Sequence, residues 1–225
     1  CCYTHGRSGL TADGNYYSAG SLEERYNGGT FDFFKTGSQA KFATATGPDS
    51  VASSAVAVTR VSGSDACGFL ESFSTALTKT AFGFSIWAKT ASTSYQKTVE
   101  YAASSALTDC LRLDVKADTI RIIDDAGAYK TYLATMTAWV HIAVIYSSGT
   151  WTVFINGVET TASSTSGTIA LPATFSVVNL GNNADSGNDL YIFEWRHYAS
   201  ALAAANWLYQ ARDVSTGACR TIPMR

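Results

Sequence analysis

The residues of this chain that could do chemistry are few and scattered. Hydrolysis of a glycosidic bond with retention asks for two carboxylates about 5 Å apart, one acid and one nucleophile. Alternate residues of a strand share a face, so on a sheet such a pair shows as Glu-x-Asp-x-x-Glu or a close variant. No such run occurs. Glu194 stands alone in a strand-like segment with Arg196 two positions on, and the two read as an ion pair. Glu23-Glu24 lies in a turn-rich stretch and reads as solvent-facing. The three histidines are His5, His141 and His197. His141, in an apolar segment, reads as a satisfied core residue. Neither a Gly-x-Ser-x-Gly elbow nor a His-Glu-x-x-His pair is present. The expectation is a protein that binds or assembles rather than catalyses.

The five cysteines are Cys1, Cys2, Cys67, Cys110 and Cys219. None forms a C-x-x-C pair, and histidine partners for zinc are missing. Two readings stand. One is an oxidised compartment with disulfides, with Cys67 bound to Cys110 and Cys219 to one of Cys1 and Cys2. The other terminal cysteine then links to a neighbouring molecule. The second reading takes Cys67, Cys110 and Cys219 as buried thiols, since cysteine buries readily.

Charge excludes more than it suggests. Hydrophobic residues make up 46% of the chain and charged residues 15%, with a net charge of -2. A large core is affordable and few charges remain for the surface. There is no Lys/Arg run or basic tail, so nucleic acid, whose binding rests on phosphate neutralisation, is not expected as a partner. No apolar run is long enough to span a bilayer. The chain opens at Cys1 rather than Met, as a processed, secreted form would.

The elements that must position these residues are strands. In Phe82-Gly83-Phe84-Ser85-Ile86-Trp87-Ala88-Lys89 the even positions are apolar. Leu111, Leu113 and Val115 alternate with Arg112, Asp114 and Lys116, the pattern of a half-buried strand. Residues 139–146 are apolar on both faces, and 151–155 return after the turn at Ser147-Ser148-Gly149. Asn156-Gly157 predicts a type I′ hairpin, because both residues tolerate positive φ. Residues 30–34, 39–44, 51–61, 120–122, 175–180 and 190–198 read as further strands. Ser200 can cap a helix over 201–212, with Leu202, Ala205 and Tyr209 on one face. Many short strands with turns between them indicate a sandwich. The expected fold is all-β: a two-sheet antiparallel jelly-roll sandwich with one short C-terminal helix. Residues 1–50 read as an N-terminal arm or extension, partly within the sandwich or reaching to another chain, and 51–225 as the sandwich.

Aromatics make up 12% of the chain. Tyr16-Tyr17, Tyr95, Tyr129 and Tyr132 lie in or near turns, where their faces could meet sugar C–H groups; ordinary rim packing is the alternative. Trp87, Trp139, Trp151 and Trp195 lie in strands and are expected in the core.

The order Phe84-Ser85-Ile86-Trp87-Ala88, Trp139-Val140-His141-Ile142-Ala143-Val144, Gly149-x-Trp151-x-Val153-Phe154-Ile155-Asn156-Gly157, Leu180-Gly181-Asn182 and Phe193-Glu194-Trp195-Arg196 resembles the laminin-G-like and pentraxin-like jelly rolls of the concanavalin A-like superfamily. The resemblance covers roughly residues 68–212. It implies an extracellular module that binds glycans or surface proteins through loops at one rim, with calcium in many members. Carried over residue by residue, the pentraxin-like calcium site falls on Asp109, Asn183, Asp185 and the Ala184 carbonyl. Calcium takes six to eight hard oxygens, and this set is depleted: Cys110 stands where a second amide is expected and Asn183 where the family has Glu. Asn188 and Asp189 add oxygens to the same loop, for calcium or for ligand hydroxyls. The alternative is a polar turn that satisfies its own backbone.

The functional expectation is therefore a binding or adhesion module for glycan or a surface protein, with Tyr129, Tyr132, Asn188 and Asp189 as candidate ligand contacts. The rival is a structural subunit of a filament, sheath or virion surface. It would self-assemble through the N-terminal arm and terminal cysteines, an arm strand adding to a neighbour's sheet edge.

Overall fold

The computed structural model describes residues 4–5, 22–23, 30–35, 41–50, 52, 55–59, 67–77, 79–182 and 189–198. These residues form two antiparallel sheets and no helix. The larger sheet has ten strands: β1 (Thr4–His5), β2 (Leu22–Glu23), β3 (Thr30–Lys35), β6 (Cys67–Leu77), β16 (Phe175–Asn182), β8 (Gln96–Ala102), β9 (Cys110–Lys116), β10 (Thr119–Asp124), β11 (Tyr129–Leu133) and β15 (Ser164–Ser166), in that spatial order. The smaller sheet has seven: β14 (Val158–Thr160), β13 (Thr150–Ile155), β12 (Val140–Ser147), β7 (Ala81–Thr90), β17 (Leu190–Tyr198), β5 (Ala55–Thr59) and β4 (Lys41–Ala45). The expected antiparallel sandwich is thus observed. The helix expected over 201–212 lies outside the described residues, as do Cys1, Cys2 and Cys219.

Alternation decides which side chains meet between the sheets. Phe82, Phe84, Ile86 and Ala88 of β7 face Val99 and Tyr101 of β8, Leu111, Leu113 and Val115 of β9, and Ile120 and Ile122 of β10 in one buried cluster. Each such large apolar side chain contributes roughly 1.5–3 kcal/mol when fully buried. Phe82, Tyr101 and Phe175 form an aromatic nest, with ring centroids 5.0 Å apart for Phe82–Phe175 and 4.7 Å for Tyr101–Phe175.

The segment apolar on both faces has a specific cause. Ile142 and Val144 of β12 point into the core, whereas Ala143 and Ile145 point outward and pack with Phe154 of β13 and Tyr198 of β17 in a second, smaller cluster. The hairpin at Asn156-Gly157 forms as its residues require, with φ of 51° and 80° and Ile155 paired to Val158.

Part of the stretch read as an arm contributes to each sheet. β3 pairs with β6 on the larger sheet, and β4 pairs with β5 on the smaller.

Candidate binding face on the larger sheet

Among the described residues, the outward face of the ten-stranded sheet carries a connected set of ion pairs and side-chain hydrogen bonds. On β9, Leu111, Leu113 and Val115 are committed to the core, so Cys110, Arg112, Asp114 and Lys116 point the other way. Across the ladders Arg112 is opposite Glu100 of β8, and Asp114 is opposite both Lys97 of β8 and Arg121 of β10. Asn179 of β16 is opposite Glu100 on its other side.

The contacts follow this register. Asn179 Nδ2 donates to Glu100 Oε2 at 2.8 Å, and Lys97 Nζ lies 3.2 Å from Glu100 Oε1. Arg121 donates to Asp114 Oδ2 at 2.7 Å, while the Arg112 Nε lies 3.9 Å from Asp114 Oδ1. Tyr95 closes the strip, with the Arg121 guanidinium 3.8 Å and the Lys116 ammonium 5.5 Å from its ring centroid. Lys116 also pairs with Asp118 in the turn between β9 and β10, at 3.1 Å. Thr119 and Lys116 hold the Asp118 carboxyl below its usual range.

A β-bulge makes the strip possible. The β8–β9 register shifts between Lys97 and Val99. The additional residue brings Lys97 onto the face of Glu100, although their separation of three would otherwise set them on opposite faces. Glu100, Asn179 and Asp114 are buried although they point away from the core. Burial raises the Asp114 carboxyl above its ordinary range, against the lowering effect of Arg112 and Arg121. Among the described residues, Asn179 Oδ1, Asp114 Oδ1, Arg112 Nε and Arg121 Nε find no hydrogen-bond partner.

Of the residues carried over as a calcium site, Asp109 lies among the described residues. Asp109 precedes β9 at one rim of the sheet, beside Ala102 of β8 and the start of β16. β16 ends at Asn182, paired with Lys97, at the other rim. Five residues of β9 separate the two levels, about 17 Å along the strand. Asn183, Ala184, Asp185 and Asn188 lie outside the described residues. Asp109 accepts from the Ala173 N–H at 2.9 Å, and its own N–H donates to Asp125 at 3.2 Å. A cleft of about 340 Å³ opens there, lined by Asp109, Cys110, Asp124, Asp125, Ala126 and Ala170. The oxygens of Asp124 are taken by the Ala128 and Ala170 N–H groups. Among the described residues, no cluster of three or more His, Cys, Asp or Glu is placed to hold a metal ion.

The candidate ligand contacts are divided. Tyr132 is buried in the core, which pushes its phenol up to about 12. It is therefore not a surface contact, because Tyr132 pairs with Ile120 and shares its inward face. Tyr129 is opposite Ile123, on the outward face at the Asp109 rim. Asp189 immediately precedes β17 at the other rim and accepts from the Tyr191 hydroxyl at 3.0 Å.

Other expectations need correction. Cys110 is a free, buried thiol, pushed up to about 11 by burial. Cys67 lies three strands away and is level with the opposite rim, far beyond the 7 Å or so within which Cα atoms can be bridged. The expected Cys67–Cys110 disulfide is therefore not formed. His141 is not in the central core: it is opposite Trp87, on the outward face of the smaller sheet. Burial there, with Arg196 nearby, lowers its imidazole to about 3. Trp139 is half-buried at a rim, where the Lys89 ammonium lies 5.6 Å from its ring and 4.4 Å from that of Tyr191. Glu194 does pair with Arg196, from a bulge in β17 where Glu194 has φ of 49°.

Sequence reading missed the strip on the larger sheet. Its one visible signal was the alternation of Arg112, Asp114 and Lys116; Lys97, Glu100, Arg121 and Asn179 join it only through the register.

The comparisons agree with this architecture. Solved structures similar to it include one from a study of botulinum neurotoxin type C, whose cell entry is described as dependent upon interaction with two ganglioside molecules (TM-score 0.60, 10% identity, 86% of this chain and 50% of that one). Others are the binding domain of botulinum neurotoxin DC in complex with rat synaptotagmin II (0.61, 9%, 86% and 51%) and the same domain in complex with SialylT (0.59, 10%, 86% and 50%). The chain spans about half the length of these structures, and at such identities the likeness is one of fold. No curated protein matches the sequence. A laminin-G-type family model described as the concanavalin A-like lectin/glucanases superfamily matches residues 62–206, well over half of the chain, and the protein belongs to that superfamily.

Proposed function

We propose that this protein is a non-catalytic binding module, working outside the cell or on a particle surface, that recognises a glycan through the outward face of its ten-stranded sheet. The observation that carries the reading is the Asn179–Glu100–Lys97 and Arg112–Asp114–Arg121 lattice. Sugar hydroxyls need polar groups held at fixed positions, and this lattice presents ammonium and guanidinium groups on neighbouring strands, held in place by the buried carboxylates and amide beneath them. Tyr95 provides an aromatic face at its end. Rigid strands hold such groups better than loops do.

A hydrolytic role fits the same residues poorly. Glu100 and Asp114 lie beneath cations and an amide, rather than flanking an open space where a glycosidic bond could sit. The superfamily includes both lectins and glucanases, and the engaged carboxylates favour the first. The ganglioside and synaptotagmin bound by the botulinum neighbours make glycan and surface protein the two partner classes to screen.

Glycan-array screening of the purified chain tests the reading. Retention of a defined set of oligosaccharides, reduced at least about tenfold by Arg121→Ala at the partly exposed edge of the lattice, is expected. Unchanged retention after this substitution would move the site elsewhere, and an array with no retained sugar would contradict the reading.

A further inference from the structure

We infer that the outward face of the larger sheet selects acidic glycans, bearing carboxylate or sulfate groups, over neutral ones. This rests on the glycan-binding reading and specifies its ligand class.

The inference comes from how the charges are layered. The strip gathers Lys97, Arg112, Lys116 and Arg121 from three adjacent strands. Their side chains keep 33%, 20%, 28% and 23% exposure, while the carboxylates of Glu100 and Asp114 beneath them keep 0% and 3%. Over Glu100 and Asp114, cations therefore form the surface and anions the floor, while Asp118 at one end of the strip is itself exposed. Counting Asp118, four cations meet three carboxylates, an excess of one positive charge on a chain whose net charge is -2. The excess is local, and a cleft or face of one sign concentrates ligands of the other.

The guanidinium geometry adds direction. Asp114 engages Arg121 through one terminal nitrogen and Arg112 only at 3.9 Å, so neither guanidinium is held as a two-bond fork. Tyr95 stacks on Arg121 and keeps its plane fixed. A fixed, partly exposed guanidinium is suited to two parallel hydrogen bonds with a planar carboxylate or a sulfate. A neutral sugar offers only hydroxyls there and leaves the excess charge uncompensated.

The experiment compares oligosaccharides of one backbone in neutral, uronate and sulfated forms by calorimetry at two salt concentrations. A DNA duplex and an acidic peptide of equal charge serve as competitors. Binding of the acidic sugars roughly tenfold tighter than the neutral one, with the advantage shrinking as salt rises, is expected. Lys116→Gln leaves the partners of Asp114 and Glu100 in place, since Lys116 pairs with the exposed Asp118. That variant should lose part of the acidic preference while keeping neutral binding and its melting temperature, and Lys79→Gln at the far rim should change neither. Equal affinity for neutral and acidic forms would overturn the inference and leave the glycan reading intact. Preference for the duplex or the peptide would overturn it as a polyanion effect. Absence of all sugar binding would overturn both.

Discussion

Lys97 and Glu100 form an ion pair at 3.2 Å across a β-bulge. In a regular strand two residues three apart point to opposite faces. The bulge thus turns a strand that would expose one charge and bury the other into a two-point contribution to a single face. Asn179 completes the arrangement from the next strand. One irregularity of backbone decides which charges share this face.

Removing the centre of that arrangement should cost stability as well as binding. Glu100→Ala leaves the Asn179 amide and the Lys97 ammonium without their acceptor in a buried setting. A loss of roughly 1–3 kcal/mol is expected in urea unfolding. A change under about 0.5 kcal/mol, typical of surface positions, would mean that the pair is incidental.

Gly181 should tolerate no side chain. Its φ is 72°, and a Cβ there would meet Val58 Cγ2 at 3.0 Å and Ile192 Cδ1 at 3.3 Å, between the two sheets. Gly181→Ala combines a positive-φ penalty with a clash and should destabilise by roughly 1–3 kcal/mol. A melting temperature equal to that of the wild type would contradict this geometry.

Acid should unfold the protein through its histidines. Burial lowers His141 to about 3 and His197 to about 4 in the folded state, from 6.5. Above pH 6.5 neither group binds a proton in either state. As pH falls from 6.5 towards those values the unfolded chain takes up protons that the folded one refuses, so stability declines. At pH 5 His141 accounts for about 2 kcal/mol of this decline, and His197, which keeps some solvent contact and shares a hydrogen bond with the Tyr101 hydroxyl at 3.0 Å, for less. Denaturation series between pH 5 and 7.5 should show the slope, and His141→Phe should flatten it. A pH-independent midpoint in the wild type would be inconsistent with neutral buried imidazoles.

The Cys110 thiol should be inert. With its sulfur buried and its titration raised to about 11, it should resist alkylation at pH 8 in the native protein and react on unfolding. Peptide mapping without reductant should yield no fragment joining Cys67 to Cys110. Such a fragment would refute the strand order of the larger sheet.

The fold was more legible than the site, for reasons visible in particular residues. β7 and β9 announce themselves because apolar residues recur at every second position. β8 does not, since its bulge breaks the alternation, and β6 was overlooked within a mixed run of small, aromatic and acidic residues. The cations of the strip stand at 97, 112, 116 and 121, too dispersed to count as a basic cluster until the ladders place them side by side. Of the carried-over calcium set, Asn183, Ala184 and Asp185 lie outside the described residues.

The most direct measurement is NMR chemical-shift mapping of the labelled chain titrated with an oligosaccharide retained on the array. Perturbations should concentrate at Tyr95, Lys97, Glu100, Arg112, Asp114, Arg121 and Asn179 and should saturate together. Perturbations centred on the smaller sheet around Trp87 and His141, or on the rim around Asp109 and Asp125, would contradict a binding face on the larger sheet.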